Sequence, residues 1–172
     1  MPVPRLHIIG RKNSGKTTLI TELIAYFITR GKRVGSIKHT HHRHELDVPG
    51  KDSYKHREAG ASPVAIVSPG MTAVFRPNPT GIASDGYAWL EPMWEGCDLV
   101  LIEGDSQTPL PKVEVWRQAV GDVPIAVQDQ TILAVISDDP IPTTGRHWCR
   151  TPLETLADQL EEWLKSSNAD NG

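Results

Sequence analysis

Cysteine is nearly missing from this chain of 172 residues: only Cys97 and Cys149 occur, far apart and neither in a C-x-x-C pair. Neither a disulfide framework nor a thiolate zinc site is indicated, and a reducing compartment suits the chain. There is no excess of positive charge either. Eighteen Lys and Arg stand against 21 Asp and Glu, a formal net charge of −3, so the electrostatic footprint of a general nucleic-acid binder is absent. No apolar run approaches the ~20 residues a membrane helix needs. The first strand follows directly on the N-terminus without a basic and apolar leader. These absences point to a cytoplasmic protein that uses neither membrane nor nucleic acid. No internal repeat is visible. The length suits one domain over residues 1–165, with SSNADNG, 166–172, as a disordered tail.

What is present centres on residues 10–17, GRKNSGKT, which follow the apolar run Leu6–Ile9 and open into an amphipathic stretch. The order is strand, glycine loop, helix. Gly10 and Gly15 let the backbone curl so that the amides of Asn13, Ser14, Gly15, Lys16, Thr17 and Thr18 converge on one anion. A polyphosphate fits there. Lys16 is placed for the β- and γ-phosphates, Thr17 for a bound Mg²⁺ and Thr18 for the α-phosphate, with the positive helix end adding to the pull. From Lys16 to Arg30 the apolar residues Leu19, Ile20, Leu23, Ile24, Phe27 and Ile28 recur at helical spacing, and Gly31 is the expected stop. Val34–Lys38 reads as a second strand. Strand, helix and strand in this order require a right-handed crossover and hence a parallel sheet. His7, alone on the first strand, reads as a satisfied core or edge residue.

The stretch 38–60, KHTHHRHELDVPGKDSYKHREAG, holds five of the seven histidines. His39, His41, His42 and His44 with Asp47 and Asp52 are competent metal ligands, but their spacing does not set them on one face. A phosphate-facing role fits better, because the loop after the second strand of such a fold lies at the carboxyl edge of the sheet. Lys38, His39 and Lys51 are then candidates for phosphate oxygens, and Asp47 or Asp52 for Mg²⁺. Asp52 or Ser53 is positioned to cap a short helix ending at Gly60. Pro63–Ser68 and Met71–Phe75, separated by Pro69-Gly70, read as a hairpin at a sheet edge, where a second copy of the chain can pair.

Further on, Leu99–Ile102 forms a buried strand that ends in Glu103, Gly104 and Asp105. An acid leaving the carboxyl end of a strand beside a phosphate loop can hold Mg²⁺ or orient an attacking water. Glu103 is the first choice, Asp105 the alternative, and Asp98 lies at the wrong end. The segment 108–117 alternates as an exposed or edge strand would. Thr131–Ser137 is the last strong strand. Asp138 and Asp139 follow it where many GTP-binding folds carry the acid that reads guanine, although no N-K-x-D string is present. Thr151-Pro152-Leu153-Glu154 starts a helix whose leucine stripe runs to Lys165. The expected fold is a three-layer α/β P-loop domain, a mostly parallel sheet with an added β-hairpin.

With GRKNSGKTT and KHTHHRHELDVPGKDSYKHREAGA both in view, the chain resembles the molybdopterin-guanine dinucleotide biosynthesis protein B (MobB) family. The resemblance implies GTP as the nucleotide with Mg²⁺, weak GTP hydrolysis, and assistance to a molybdopterin guanylyltransferase, with molybdopterin as a further candidate ligand and a homodimer as the assembly. By the same resemblance Gly15, Lys16, Thr17 and Thr18 hold phosphates and Mg²⁺, and Lys38 to His42 with Asp47 to Ser53 line the site. Relatives often follow the E-G pair with an aromatic and a lysine, where this chain has Asp105 and Ser106. Slow turnover also has a physical basis, since no arginine finger stands in a recognised place and such a finger supplies roughly 10³–10⁵ in rate. Arg11 in the loop is the candidate for that part. Two other readings share the phosphate loop: a small-molecule kinase, and a metallochaperone GTPase built on the histidine run.

Overall fold

A computed structural model describes residues 3–40, 42, 45–78, 87–142 and 145–169. In chain order the elements are β1 (Arg5–Ile9), α1 (Lys16–Thr29), β2 (Val34–Lys38), α2 (Asp52–Glu58), β3 (Val64–Val67) and β4 (Thr72–Phe75), followed by a 3-10 helix (Ala88–Trp94). They continue as β5 (Leu99–Glu103), β6 (Lys112–Val115), β7 (Ile132–Ile136), β8 (Arg146–Trp148) and α3 (Leu153–Ala169). Two short 3-10 turns, Gln118–Val120 and Ile125–Val127, lie between β6 and β7. The chain divides into two compact units: Met1–Thr40 with Tyr87–Gly172, and His41–Gly86.

The first unit is built on a six-stranded sheet in the order β2-β5-β1-β6-β7-β8, parallel throughout. Strand residues alternate between its two faces. Leu6, Ile8, Leu99, Leu101, Val113, Val115, Ala134 and Ile136 meet Leu19, Leu23 and Phe27 of α1 and Leu156, Leu160 and Leu164 of α3 in the main core. Val100 and Ile102 pack instead against Trp94, Leu90 and Tyr87, so the layer on the other face includes the 3-10 helix. The fold is the P-loop α/β architecture expected from the sequence. α3 continues to Ala169, four residues beyond the end of the leucine stripe at Lys165.

β6 overturns one expectation. Rather than an exposed or edge strand, it lies between β1 and β7 with all four residues buried. Its charges tolerate this because each is matched. Lys112 Nζ donates to the Thr108 carbonyl at 3.0 Å and lies 3.2 Å from Asp129 Oδ2, while Glu114 accepts the amides of Ile125 and Ala126, each at 2.9 Å. Burial pushes the Glu114 carboxyl above its usual range, and those two amides pull it back.

The second unit contains α2 and an antiparallel hairpin. β3 and β4 pair only with each other, so the hairpin is a separate two-stranded sheet and not an addition to the edge of the main one. The expected cap of α2 also differs: Lys51 occupies the cap position without a side-chain bond. The Ser53 hydroxyl is committed elsewhere, donating to Asp47 Oδ1 at 2.8 Å. Arg57 lies over the rings of Tyr54 and Phe75 and pairs with Glu45 at 2.8 Å and Asp47 at 3.4 Å.

Candidate functional site

β1 delivers the chain to Gly10 at the carboxyl edge of the sheet, between β5 and β6. The turn begins with backbone only glycine adopts easily: Gly10 has φ 144°, and a Cβ there would lie 2.4 Å from the Val115 carbonyl oxygen. Asn13 at φ 64° and Gly15 at φ 95° complete the curl. Gly15 is the cap residue of α1 with no side-chain cap bond, and no acidic residue occupies the first turn. The leading amides and the positive end of a 14-residue helix are thus arranged for an anion. The hydroxyl of Ser14, buried within the loop, has no hydrogen-bond partner among the described residues. Lys16 Nζ donates to the carbonyls of Gly10 at 2.8 Å and Arg11 at 2.7 Å, so its ammonium is folded over the loop. Burial and the nearby Lys38 cation lower its pKa, against the opposing pull of Glu103 and Glu114.

The parallel register places Glu103 of β5 beside Ile8 of β1 and Lys38 of β2, which brings three segments remote in sequence to one point. Glu103 is buried. Its Oε1 accepts the Thr17 hydroxyl at 2.9 Å and the Lys38 ammonium at 2.5 Å. The Lys38 ammonium neutralises this carboxylate oxygen. A hydroxyl and a carboxylate side by side are hard oxygen donors of the kind Mg²⁺ takes, so the residues present fit that ion. The strand ends are tied further by the His39 amide donating to the Glu103 carbonyl at 2.8 Å and by Gly104, whose absent Cβ would stand 2.9 Å from the His39 carbonyl oxygen.

Other candidates have different settings. Thr18 is exposed in the first turn of α1. Arg11 extends toward Asp122, Nε to Oδ2 at 3.5 Å. Asp138 follows β7, where Oδ1 accepts the Thr151 amide at 2.9 Å. In the second unit, Asp47 is buried and its Oδ1 accepts the Val48 amide and the Ser53 hydroxyl, whereas His42, Lys51 and Asp52 are exposed. His41 and His44 lie outside the described residues. Among the described residues no group of three His, Cys, Asp or Glu side chains could hold a metal ion.

One arrangement went unforeseen. The Tyr87 hydroxyl donates to Asp105 Oδ2 at 2.9 Å, so its oxygen accepts from His39 Nδ1 at 2.6 Å. His7 lies beneath them, 3.6 Å from Asp105 through Nδ1. His7 is a core residue, but not a satisfied one: neither ring nitrogen has a hydrogen-bond partner among the described residues. Burial lowers its pKa to about 4, with Asp105 opposing and Arg5, Lys112 and His39 adding to the fall. Tyr87 could not be singled out from local pattern, because its partners come from β2 and from the loop after β5. The signal available was the acid two residues beyond Glu103.

The family model described as molybdopterin guanine dinucleotide synthesis protein B matches residues 5–138. A molybdopterin-guanine dinucleotide biosynthesis adapter protein of Haemophilus influenzae is 35% identical over 164 residues, covering 94% of this chain and 90% of that one. The adapter protein of Escherichia coli is 34% identical, with 96% of each chain covered. Among solved structures, a molybdopterin-guanine biosynthesis protein B superposes with TM-score 0.65 at 27% identity, covering 94% of this chain and 99% of that one. A MobB homolog from Bacillus stearothermophilus gives 0.66 at 25%, over 95% and 99%. A family match over most of the chain, relatives above 30% identity along nearly its whole length and a shared fold agree: the chain belongs to the MobB family.

Proposed function

We propose that this protein binds GTP with Mg²⁺, hydrolyses it slowly, and serves as an adapter to a guanylyltransferase in molybdopterin-guanine dinucleotide synthesis. The observation that carries the nucleotide part is the meeting of Thr17, Lys38 and Glu103 on one carboxylate oxygen beside the uncapped start of α1. The adapter part rests on the printed names of the relatives.

In this reading the amides from Asn13 to Thr18 receive the phosphates. Lys16 exchanges its two carbonyl partners for β- and γ-phosphate oxygens, and Lys38 turns from Glu103 toward the γ-phosphate. Thr17 and Glu103 would hold Mg²⁺, which would supply neutralisation of the phosphate charge. His39, next to Lys38, is assigned to the same phosphates. Asp138 is assigned to the guanine edge, and molybdopterin is the second ligand. Turnover is slow because no arginine finger stands in a recognised place; Arg11, 3.5 Å from Asp122 here, is assigned the weaker contact to the γ-phosphate. The exposed Val67 and Met71 of the hairpin support pairing with a second copy.

Calorimetry with GTP, ATP and GDP, with and without Mg²⁺, tests the reading, followed by Lys16→Ala. Tight Mg²⁺-dependent uptake of GTP that the substitution abolishes is expected. No uptake of any triphosphate, or uptake indifferent to Lys16, would overturn it.

A further inference from the structure

Three segments end near the Mg²⁺-competent carboxylate. β2 ends at Lys38 and passes to His39, the chain leaves for the second unit after Thr40, and it returns to the first at Tyr87. Residues 39 and 87 therefore mark the two roots of a 41–86 excursion, and both belong to the first unit. The Tyr87 hydroxyl joins them, accepting from His39 Nδ1 at 2.6 Å, and passes its own proton bond to Asp105 at 2.9 Å. Asp105 is two residues beyond Glu103, and His39 directly follows Lys38. One phenol thus spans the exits of the two strands whose last side chains meet at 2.5 Å.

We propose that Tyr87 is a positioning residue: by bridging His39 and Asp105 it holds the Lys38 and Glu103 strand ends in the spacing that the Mg²⁺-nucleotide site requires. The inference rests on the nucleotide reading above and deepens it. The chemistry of the bridge is one-directional. A single phenolic proton goes to the carboxylate, so the histidine must supply its Nδ1 proton, and the imidazole is held in one tautomer. Burial first, and then the bond to Asp105, raise the Tyr87 pKa, so the phenol keeps that proton at any working pH. Asp105 is buried, and His7, 3.6 Å from it, remains neutral near pH 7. The His39 amide bond to Glu103 and the closeness of Gly104 to His39 set the main chains side by side. The Tyr87 bridge adds a side-chain tie next to the Lys38–Glu103 pair.

The test is Tyr87→Phe, which removes both bonds and keeps the ring. In the nucleotide-free protein, hydrogen exchange at the His39 amide is expected to quicken. In calorimetry with the β,γ-imido analogue of GTP, affinity without Mg²⁺ is expected to hold within about twofold, while the gain on adding Mg²⁺ falls about tenfold as the strand ends lose their fixed spacing. Asp105→Ala should give the same loss, and the double variant no more than either alone, since the three groups act as one chain. Unchanged exchange at His39 would overturn the proposal. So would an undiminished Mg²⁺ gain, additive losses in the double variant, or a lowered melting temperature with Mg²⁺-free and Mg²⁺-dependent affinity reduced alike. Should the wild type take up no nucleotide at all, the nucleotide reading falls, and the exchange comparison still decides whether Tyr87 organises these strand ends.

Discussion

Two glycines of the same loop should respond differently to the same added methyl. Gly15→Ala places a Cβ where no atom lies within 4 Å, so its cost is backbone strain alone at φ 95°, about 1–2 kcal/mol. Gly10→Ala meets strain at φ 144°, about 1–3 kcal/mol. It also puts Cβ 2.4 Å from the Val115 carbonyl oxygen and 2.8 Å from Ser14 Oγ. The hydroxyl can rotate away, whereas the carbonyl belongs to the buried strand β6 and cannot retreat without parting β1 from β6. Relieving that overlap adds about 1–3 kcal/mol. With comparable strain at the two glycines, Gly10→Ala should be the more damaging by the overlap alone, about 1–3 kcal/mol, or ~2–12 °C in melting temperature for a chain of this size. Urea and thermal unfolding in nucleotide-free buffer measure both, since bound ligand would mask the difference. Equal stability of the two variants, or a more stable Gly10→Ala protein, would refute the claim that the loop is wedged against β6.

Glu103→Gln leaves Thr17 and Lys38 without an anionic partner. It should lower Mg²⁺-dependent affinity for the imido analogue about 10- to 100-fold with little change in Mg²⁺-free binding, and calorimetry showing the Mg²⁺ gain intact would remove Glu103 from the site. His7 carries a signature in pH: the unfolded chain takes up its proton near 6.5, the folded chain only near 4. Its stabilising share is thus complete above 6.5 and lost as pH falls between the two, about 3 kcal/mol in all. The urea midpoint of wild type should fall relative to that of His7→Leu over that interval, and parallel curves would count against a neutral buried imidazole. Arg11→Ala should slow GTP hydrolysis; an unaltered rate in a phosphate-release assay excludes Arg11 from the γ-phosphate. Pairing through the hairpin should give a dimer that Val67→Asp dissociates, and sedimentation showing only monomer at micromolar concentration would rule it out.

The residues of GRKNSGKT determined their loop by themselves, because positive φ at Gly10 and Gly15 and a 3.6-residue stripe from Leu19 to Phe27 are local properties. β2 and the turn between β3 and β4 were legible for the same reason. The sequence also named Glu103 from its place at a strand end. Only the tertiary structure decided that Glu103 faces Lys38, since the order β2-β5-β1 inserts the fifth strand between the first two and no periodicity encodes such an insertion. β6 was misread because Lys112 and Glu114 look like surface charges, yet Asp129 and the amides of Ile125 and Ala126 return from later in the chain to satisfy them. Tyr87 was silent for the same cause. A side chain whose partners are 18 and 48 residues away acquires its role only when the sheet brings them together. Short-range backbone preference thus wrote the phosphate loop, and long-range strand pairing chose the side chains around it.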